Sequence, residues 1–143
     1  KLVIKNINNR TYDDIRFFYI TNKSVSYAFK PFVNESIKEL DTIATSHNFL
    51  ILFLKYSINR ARPEQVNTFI KPINTSTAMT PSFPAGHSYQ AYLLYKILSK
   101  KYPEKQSLFK KIALKCDDCR VKAGLHYPSD GQFSRNILDI IYK

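Results

Sequence analysis

Glycine is almost missing from this chain. Three Gly and seven Pro among 143 residues exclude collagen-like and Gly-rich low-complexity sequence, and they count against a turn-rich β-barrel. Cysteine is as sparse, and two residues cannot staple a disulfide scaffold. No apolar run approaches the roughly 18–20 residues that cross a bilayer. The best candidate, Phe49 to Leu54, stops at Lys55. Acidic side chains are scarce too: 11 Asp and Glu face 22 Lys and Arg, a formal charge of +11 with His neutral. A field of that sign attracts phosphate esters, nucleic acid or an acidic membrane surface, and does not choose among them.

What is present is a globular composition. At 44% hydrophobic residues the chain has too much apolar surface for long disorder. Its length suits one domain, residues 1–143, with a single core. The chain opens on Lys1 with no initiator Met and no signal-type apolar segment. It reads as a processed or trimmed form, and a periplasmic or secreted location is the expectation.

The periodicity is helical throughout, and no segment alternates with a strict period of two. Residues 1–10 read as a loosely attached arm or short edge element, and residues 11–30 as one or two short helices ending at Pro31. Ile37, Leu40, Ala44, His47, Ile51, Leu54 and Ile58 recur at three- and four-residue steps. They predict one long helix capped by Asn34, with Glu35 in its first turn, running to about Asn59. Residues 64–86 are rich in Pro, Thr, Ser and Asn and read as a long loop. A second helix starts near His87–Ser88 and stops before Pro103. A third runs from Pro103 to a C-terminal Gly124. A last helix is capped by Ser129, with Gln132 placed for a capping box. The expected fold class is all-α, a single-domain helical bundle.

Three segments concentrate cations and histidines. In the first, Lys55 and Arg62-Pro63 are seven residues apart, which on a continuous helix returns them to nearly one face. In the second, Pro84-Ala85-Gly86-His87 leads into a predicted helix N-terminus. Backbone N–H groups there favour an anion, and an imidazole can exchange a proton near neutral pH. In the third, Cys119-Arg120, His126 and Asp130 turn a corner between two helices, where a carboxylate can fix an imidazole tautomer. Each segment alone has an ordinary structural reading: a solvated basic face, a capped helix, helix-dipole chemistry. Cys116 and Cys119 read as core thiols or one local disulfide, and His47 as a satisfied core histidine.

Together the segments resemble the three-part signature of the type 2 phosphatidic acid phosphatase superfamily, which also holds class A bacterial acid phosphatases and vanadium haloperoxidases. That signature is Lys, six residues, Arg-Pro; then Pro-Ser-Gly-His; then Ser-Arg, five residues, His, three residues, Asp. All three spacings are met across residues 55–130, with Ala85 and Cys119 standing where Ser is usual. The resemblance implies roles. His126 matches the nucleophile that forms a phosphohistidine, Asp130 its orienting carboxylate, and His87 the general acid. Lys55, Arg62, Arg120 and the Gly86 N–H match the groups that hold the phosphoryl oxygens. Phosphoryl transfer needs positioning and charge neutralisation above all. These cations supply both, so no metal or other cofactor is expected. Ala85 removes one neutral hydrogen bond, about 1 kcal/mol, unless Ser82 or Ser88 replaces it.

The leading expectation is a soluble acid phosphatase-like hydrolase of phosphate monoesters, metal-independent. Its partner is a phosphorylated small molecule or lipid head group. Two alternatives remain at this point: a vanadate-dependent haloperoxidase-like site, or an inactive basic protein that binds anionic lipids or polymers. The aromatic residues show no base-stacking pattern, so no nucleic-acid partner is expected.

Overall fold

The computed structural model describes residues 1–143 and is helical from end to end, with no strand. The helices are α1 Leu2–Asn8, α2 Tyr12–Asn22, α3 Ser26–Phe29, α4 Ile37–Thr45, α5 Asn48–Ile58, α6 Pro63–Val66, α7 Gly86–Lys101, α8 Gln106–Lys122 and α9 Pro128–Ile141. Short 3-10 turns lie at Lys30–Phe32, Ser76–Ala78 and Pro103–Lys105. Helix α7 is the central post, packed against α4, α8 and α9. Tyr89, Ala91, Tyr92, Leu93, Leu94, Tyr95 and Leu98 are all buried, so it is apolar on nearly every side, as an enclosed helix must be. The main core joins these residues to Phe29, Leu40, Ile51, Phe109 and Leu138. A smaller cluster of Phe18, Cys119, Ala123 and Leu125 lies under the end of α8.

The first ten residues are not a loose arm. They form α1, which packs on α8 with Val3 buried. The predicted long helix is two helices. Ser36, not Asn34, caps α4: its hydroxyl accepts the Glu39 N–H, and the Glu39 carboxylate accepts the Ser36 N–H. Glu35 lies outside the helix and pairs with Lys101. The break falls at Ser46–His47. There the Ser46 hydroxyl turns back onto the Ile43 carbonyl, the local competition that makes such residues poor helix interiors. His47 is half-buried and satisfied between Tyr89 and Tyr142, at the edge of the core rather than within it.

Helix α5 sends Ile51 and Lys55 inward and turns Phe49, Leu52, Phe53 and Tyr56 to solvent. It ends at Asn59, whose φ of 49° and ψ of 47° are left-handed, a conformation Asn tolerates. Lys55 and Arg62 therefore do not share a helical face, and the turn at Asn59 brings them together instead. The loop between α6 and α7 carries a cis peptide at Phe83–Pro84. Gly131, in the first turns of α9, has no room for a Cβ. One built there would sit 1.9 Å from Asp117 Oδ1, a carboxylate pinned by Ser88 and Arg135. Both cysteines are free, buried thiols.

Candidate active site

Each of the three segments is delivered by a different local device. Lys55 comes from the inner face of α5. Arg62 precedes α6, with extended backbone that Pro63 at the first helical position favours. Gly86 and His87 open α7, whose first N–H groups lack helical acceptors. Gly86 also lies against Lys55: a Cβ there would be 3.9 Å from Lys55 Cε.

The third segment depends on how α8 ends. Gly124 takes φ +80°, the Gly124 N–H donates to the Val121 carbonyl, and the Leu125 N–H donates to the Arg120 carbonyl. This paired C-terminal cap needs a residue with left-handed freedom. It folds Leu125 and His126 back beside Arg120. Helix α9 then begins at Pro128 rather than after Ser129. Its cap is Asp130, whose carboxylate accepts the Tyr127 N–H at 3.0 Å.

The structure brings the expected residues together. Asp130 is wholly buried and accepts from His126 Nδ1 at 3.3 Å and from the Ser82 hydroxyl at 2.6 Å, both on Oδ2. That holds the neutral His126 ring with its proton on Nδ1 and the Nε2 lone pair free. Arg62 donates from Nε to the Thr80 carbonyl and from Nη1 to the Leu125 carbonyl, next to His126. Lys55 donates to the Pro81 carbonyl at 2.5 Å. Arg120 donates from Nη1 to Asn22 Oδ1 and from Nη2 to Thr77 Oγ1, and its buried Nε has no partner. His87 Nε2–H donates to the Asn22 backbone carbonyl at 2.9 Å.

Lys55, Arg62 and Arg120 are 5%, 4% and 1% exposed, yet none is paired with a carboxylate. Their protein partners are all neutral oxygens. The electrostatics follow. Burial, with Arg62 and Arg120 nearby, pushes the Lys55 ammonium down to about 7. Burial pulls His126 down to about 4 despite Asp130, with Arg62, Arg120 and Lys55 adding to the fall. Burial and the Arg120 charge pull His87 down to about 3, with His126 and Lys55 contributing. Arg120 and Lys55 thus act on both imidazoles. Desolvation opposes ionisation of Asp130, but hydrogen bonds from His126, Ser82 and Tyr127 hold its carboxyl below the usual range. Buried cations without a carboxylate contact leave room for an anion to lower their cost.

The motifs do not include four further residues that the structure adds. Arg60 reaches Asp130 Oδ1 at 2.7 Å, Ser82 braces Asp130, and Asn22 with Thr77 holds Arg120. Arg60 carried a signal, as a third cation in the first segment. Asn22 carried none, because it lies at the end of α2, far from every motif. Ala85 is fully buried with no hydroxyl to offer. Ser82 is committed to Asp130 and Ser88 to Asp117, so neither takes the place of the usual Ser. A cavity of about 570 Å³ reaches Arg62 from outside, lined among others by Tyr56, Arg60, Met79 and Thr80.

The fold is all-helical and carries two imidazoles among buried cations that have no carboxylate contact. The sequence profile of the PAP2 superfamily matches residues 40–137, and the chain belongs to that superfamily. Membership suggests phosphatase-like activity on phosphate esters. No curated protein matches the chain. No helix is long and apolar enough to cross a membrane.

Proposed function

We propose that the protein is a metal-independent phosphatase that hydrolyses phosphate monoesters through a phosphohistidine on His126. The observation that carries this reading is the set of three buried cations without carboxylate partners, gathered around two imidazoles. A phosphoryl group brings the missing negative charge. Lys55, Arg62, Arg120 and the first N–H groups of α7 hold its oxygens and offset the charge that builds during transfer. His126 Nε2 attacks phosphorus while Asp130 steadies the imidazolium that forms. The P–O bond to the leaving alcohol breaks, and His87 delivers a proton to that oxygen. Water then attacks the phosphohistidine, with His87 now taking a proton, and phosphate leaves.

The acid role of His87 has a physical condition. In the ligand-free pocket both imidazoles are neutral at mildly acid pH, because burial, reinforced by repulsion from the cations, holds their pKa values low. A bound dianion cancels that repulsion and raises His87 into its acid form. Substrate therefore brings its own proton donor into play, and the pH profile is a bell centred in the acid range.

The test is hydrolysis of a chromogenic phosphate monoester by wild type and His126→Ala. The variant is expected to lose at least a thousandfold in kcat, together with the acid-labile phosphoenzyme of wild type. Equal rates would overturn the reading. Orthovanadate is expected to inhibit competitively. Gain of bromide oxidation with vanadate and peroxide would instead mark the haloperoxidase reading.

A second reading, an inactive anion binder, is favoured by one observation: Ala85 leaves the second motif without its hydroxyl, and no serine replaces it. Saturable phosphate binding with no turnover of any ester would select it.

A further inference from the structure

Arg60 stands one residue removed from His126, with Asp130 between them. We infer that its guanidinium turns the Asp130 carboxylate and draws off part of its charge, so that His126 stays an unprotonated nucleophile at acid pH. The inference rests on the phosphatase reading for its consequence in catalysis, and on geometry alone for the effect on His126.

The two oxygens of Asp130 have different company. Oδ2 takes His126 Nδ1–H, the Ser82 hydroxyl and the Tyr127 N–H. Oδ1 takes Arg60 Nη1 at 2.7 Å. The same Arg60 nitrogen donates to Ser129 Oγ at 2.8 Å, and the guanidinium lies 4.1 Å from the centre of the Tyr127 ring. Stacking and two acceptors fix the fork from three sides, although the side chain is 37% exposed. Arg60 is thus no ordinary surface partner. It is the outer member of a chain running Arg60, Asp130, His126.

The direction of the effect follows from charge. His126 faces Asp130 from α9, Lys55 from α5, Arg62 from the segment before α6, Arg120 from α8 and His87 from α7. Burial and the cations favour neutral imidazole, and the Asp130 hydrogen bond favours imidazolium. A carboxylate shared with a guanidinium stabilises imidazolium less than a free one. Without Arg60, Asp130 would hold a proton on His126 more tightly. The nucleophile would then be lost to protonation at a higher pH.

The experiment is an NMR titration of the 15N-labelled imidazoles in wild type, Arg60→Gln and Arg60→Lys, with His126→Ala used for assignment. Lys96→Gln, which breaks a remote ion pair with Asp139, is the control. Arg60→Gln is expected to raise the proton affinity of His126 about tenfold, a shift of about one pH unit. Arg60→Lys, which keeps charge but not the planar fork, is expected to give less than half of that shift. The control is expected to leave His126 unchanged. The acid limb of kcat/KM moves up by the same interval in Arg60→Gln. Should that variant not fold, Arg60→Lys and Tyr127→Leu carry the test, since each weakens the hold on Oδ1. An unchanged His126 titration in the folded variants would overturn the inference. A shifted titration in a protein that hydrolyses no ester would leave it standing and overturn the phosphatase reading instead.

Discussion

Lys55 shows how a single side chain can be poor for stability and good for a site. Its ammonium is buried, faces two arginines, and has a folded-state pKa of about 7 against roughly 10.4 in an unfolded chain. Below about pH 7 both states hold the proton, and the folded state carries the full cost of a buried charge. Between about 7 and 10 only the unfolded state still holds it, so stability gained from this group rises with pH. Lys55→Met removes the charge at similar length. It is expected to be more stable than wild type at pH 6, to lose part of the rise in stability across pH 7–10, and to bind phosphate far more weakly. Urea unfolding at several pH values with a phosphate titration checks all three. A variant less stable than wild type at pH 6 would show that Lys55 is not under electrostatic strain. The same residue predicts proton uptake on anion binding near pH 7, seen as a buffer-dependent enthalpy in calorimetry.

At the scale of elements, the turn after α8 decides whether the third motif forms at all. Arg120 lies in the last turn of that helix and His126 in the segment after it, and Gly124 makes the reversal between them. A Cβ at Gly124 would lie 3.2 Å from Pro72 Cα and 3.3 Å from Ile7 Cδ1, in a backbone conformation that already disfavours one. Gly124→Ala is expected to cost about 1–2 kcal/mol for the left-handed strain alone. It should also lower kcat more than it raises KM, because it displaces His126 rather than the cations. Thermal melts and steady-state kinetics check this. The termini of α7 and α8 were legible from Gly86, Pro103 and Gly124, since glycine and proline act through local sterics. The division of α4 from α5 was not. The apolar period runs unbroken through Ser46–His47, and the break combines the Ser46 bond to the Ile43 carbonyl with the contacts of His47 to Tyr89 and Tyr142, which are distant in sequence.

Across the whole molecule, the site is closed by parts outside its motifs. Helix α2 lies before the matched span of 40–137, yet its last residue, Asn22, touches both His87 and Arg120. The loop after α6 places Thr77, Thr80 and Pro81 on Arg120, Arg62 and Lys55. Neutral oxygens thus stand on every cation. Asn22→Asp would put a carboxylate on Arg120 with little change in shape. It is expected to weaken phosphate binding at least tenfold while raising thermal stability, because the protein would then supply the charge that a ligand otherwise brings. Calorimetry with inorganic phosphate and a thermal melt test this. Unchanged phosphate affinity would show that Arg120 lies outside the anion site.

The helical class, the approximate ends of α7 and α8 and the list of chemical groups were determined by the sequence alone. All three rest on short-range rules: periodicity, caps, and the spacing of ionisable residues within a segment. The partnerships were decided by the tertiary structure. Lys55 and Arg62 meet through a left-handed Asn59 and not through a helical face. Asp130 is shared between His126 and Arg60, and Asn22 comes from a region without any motif. Such contacts join residues up to 98 positions apart. Nothing in local propensity encodes them, because they depend on how the helices pack around α7 and on which buried charges the packing leaves without an opposite.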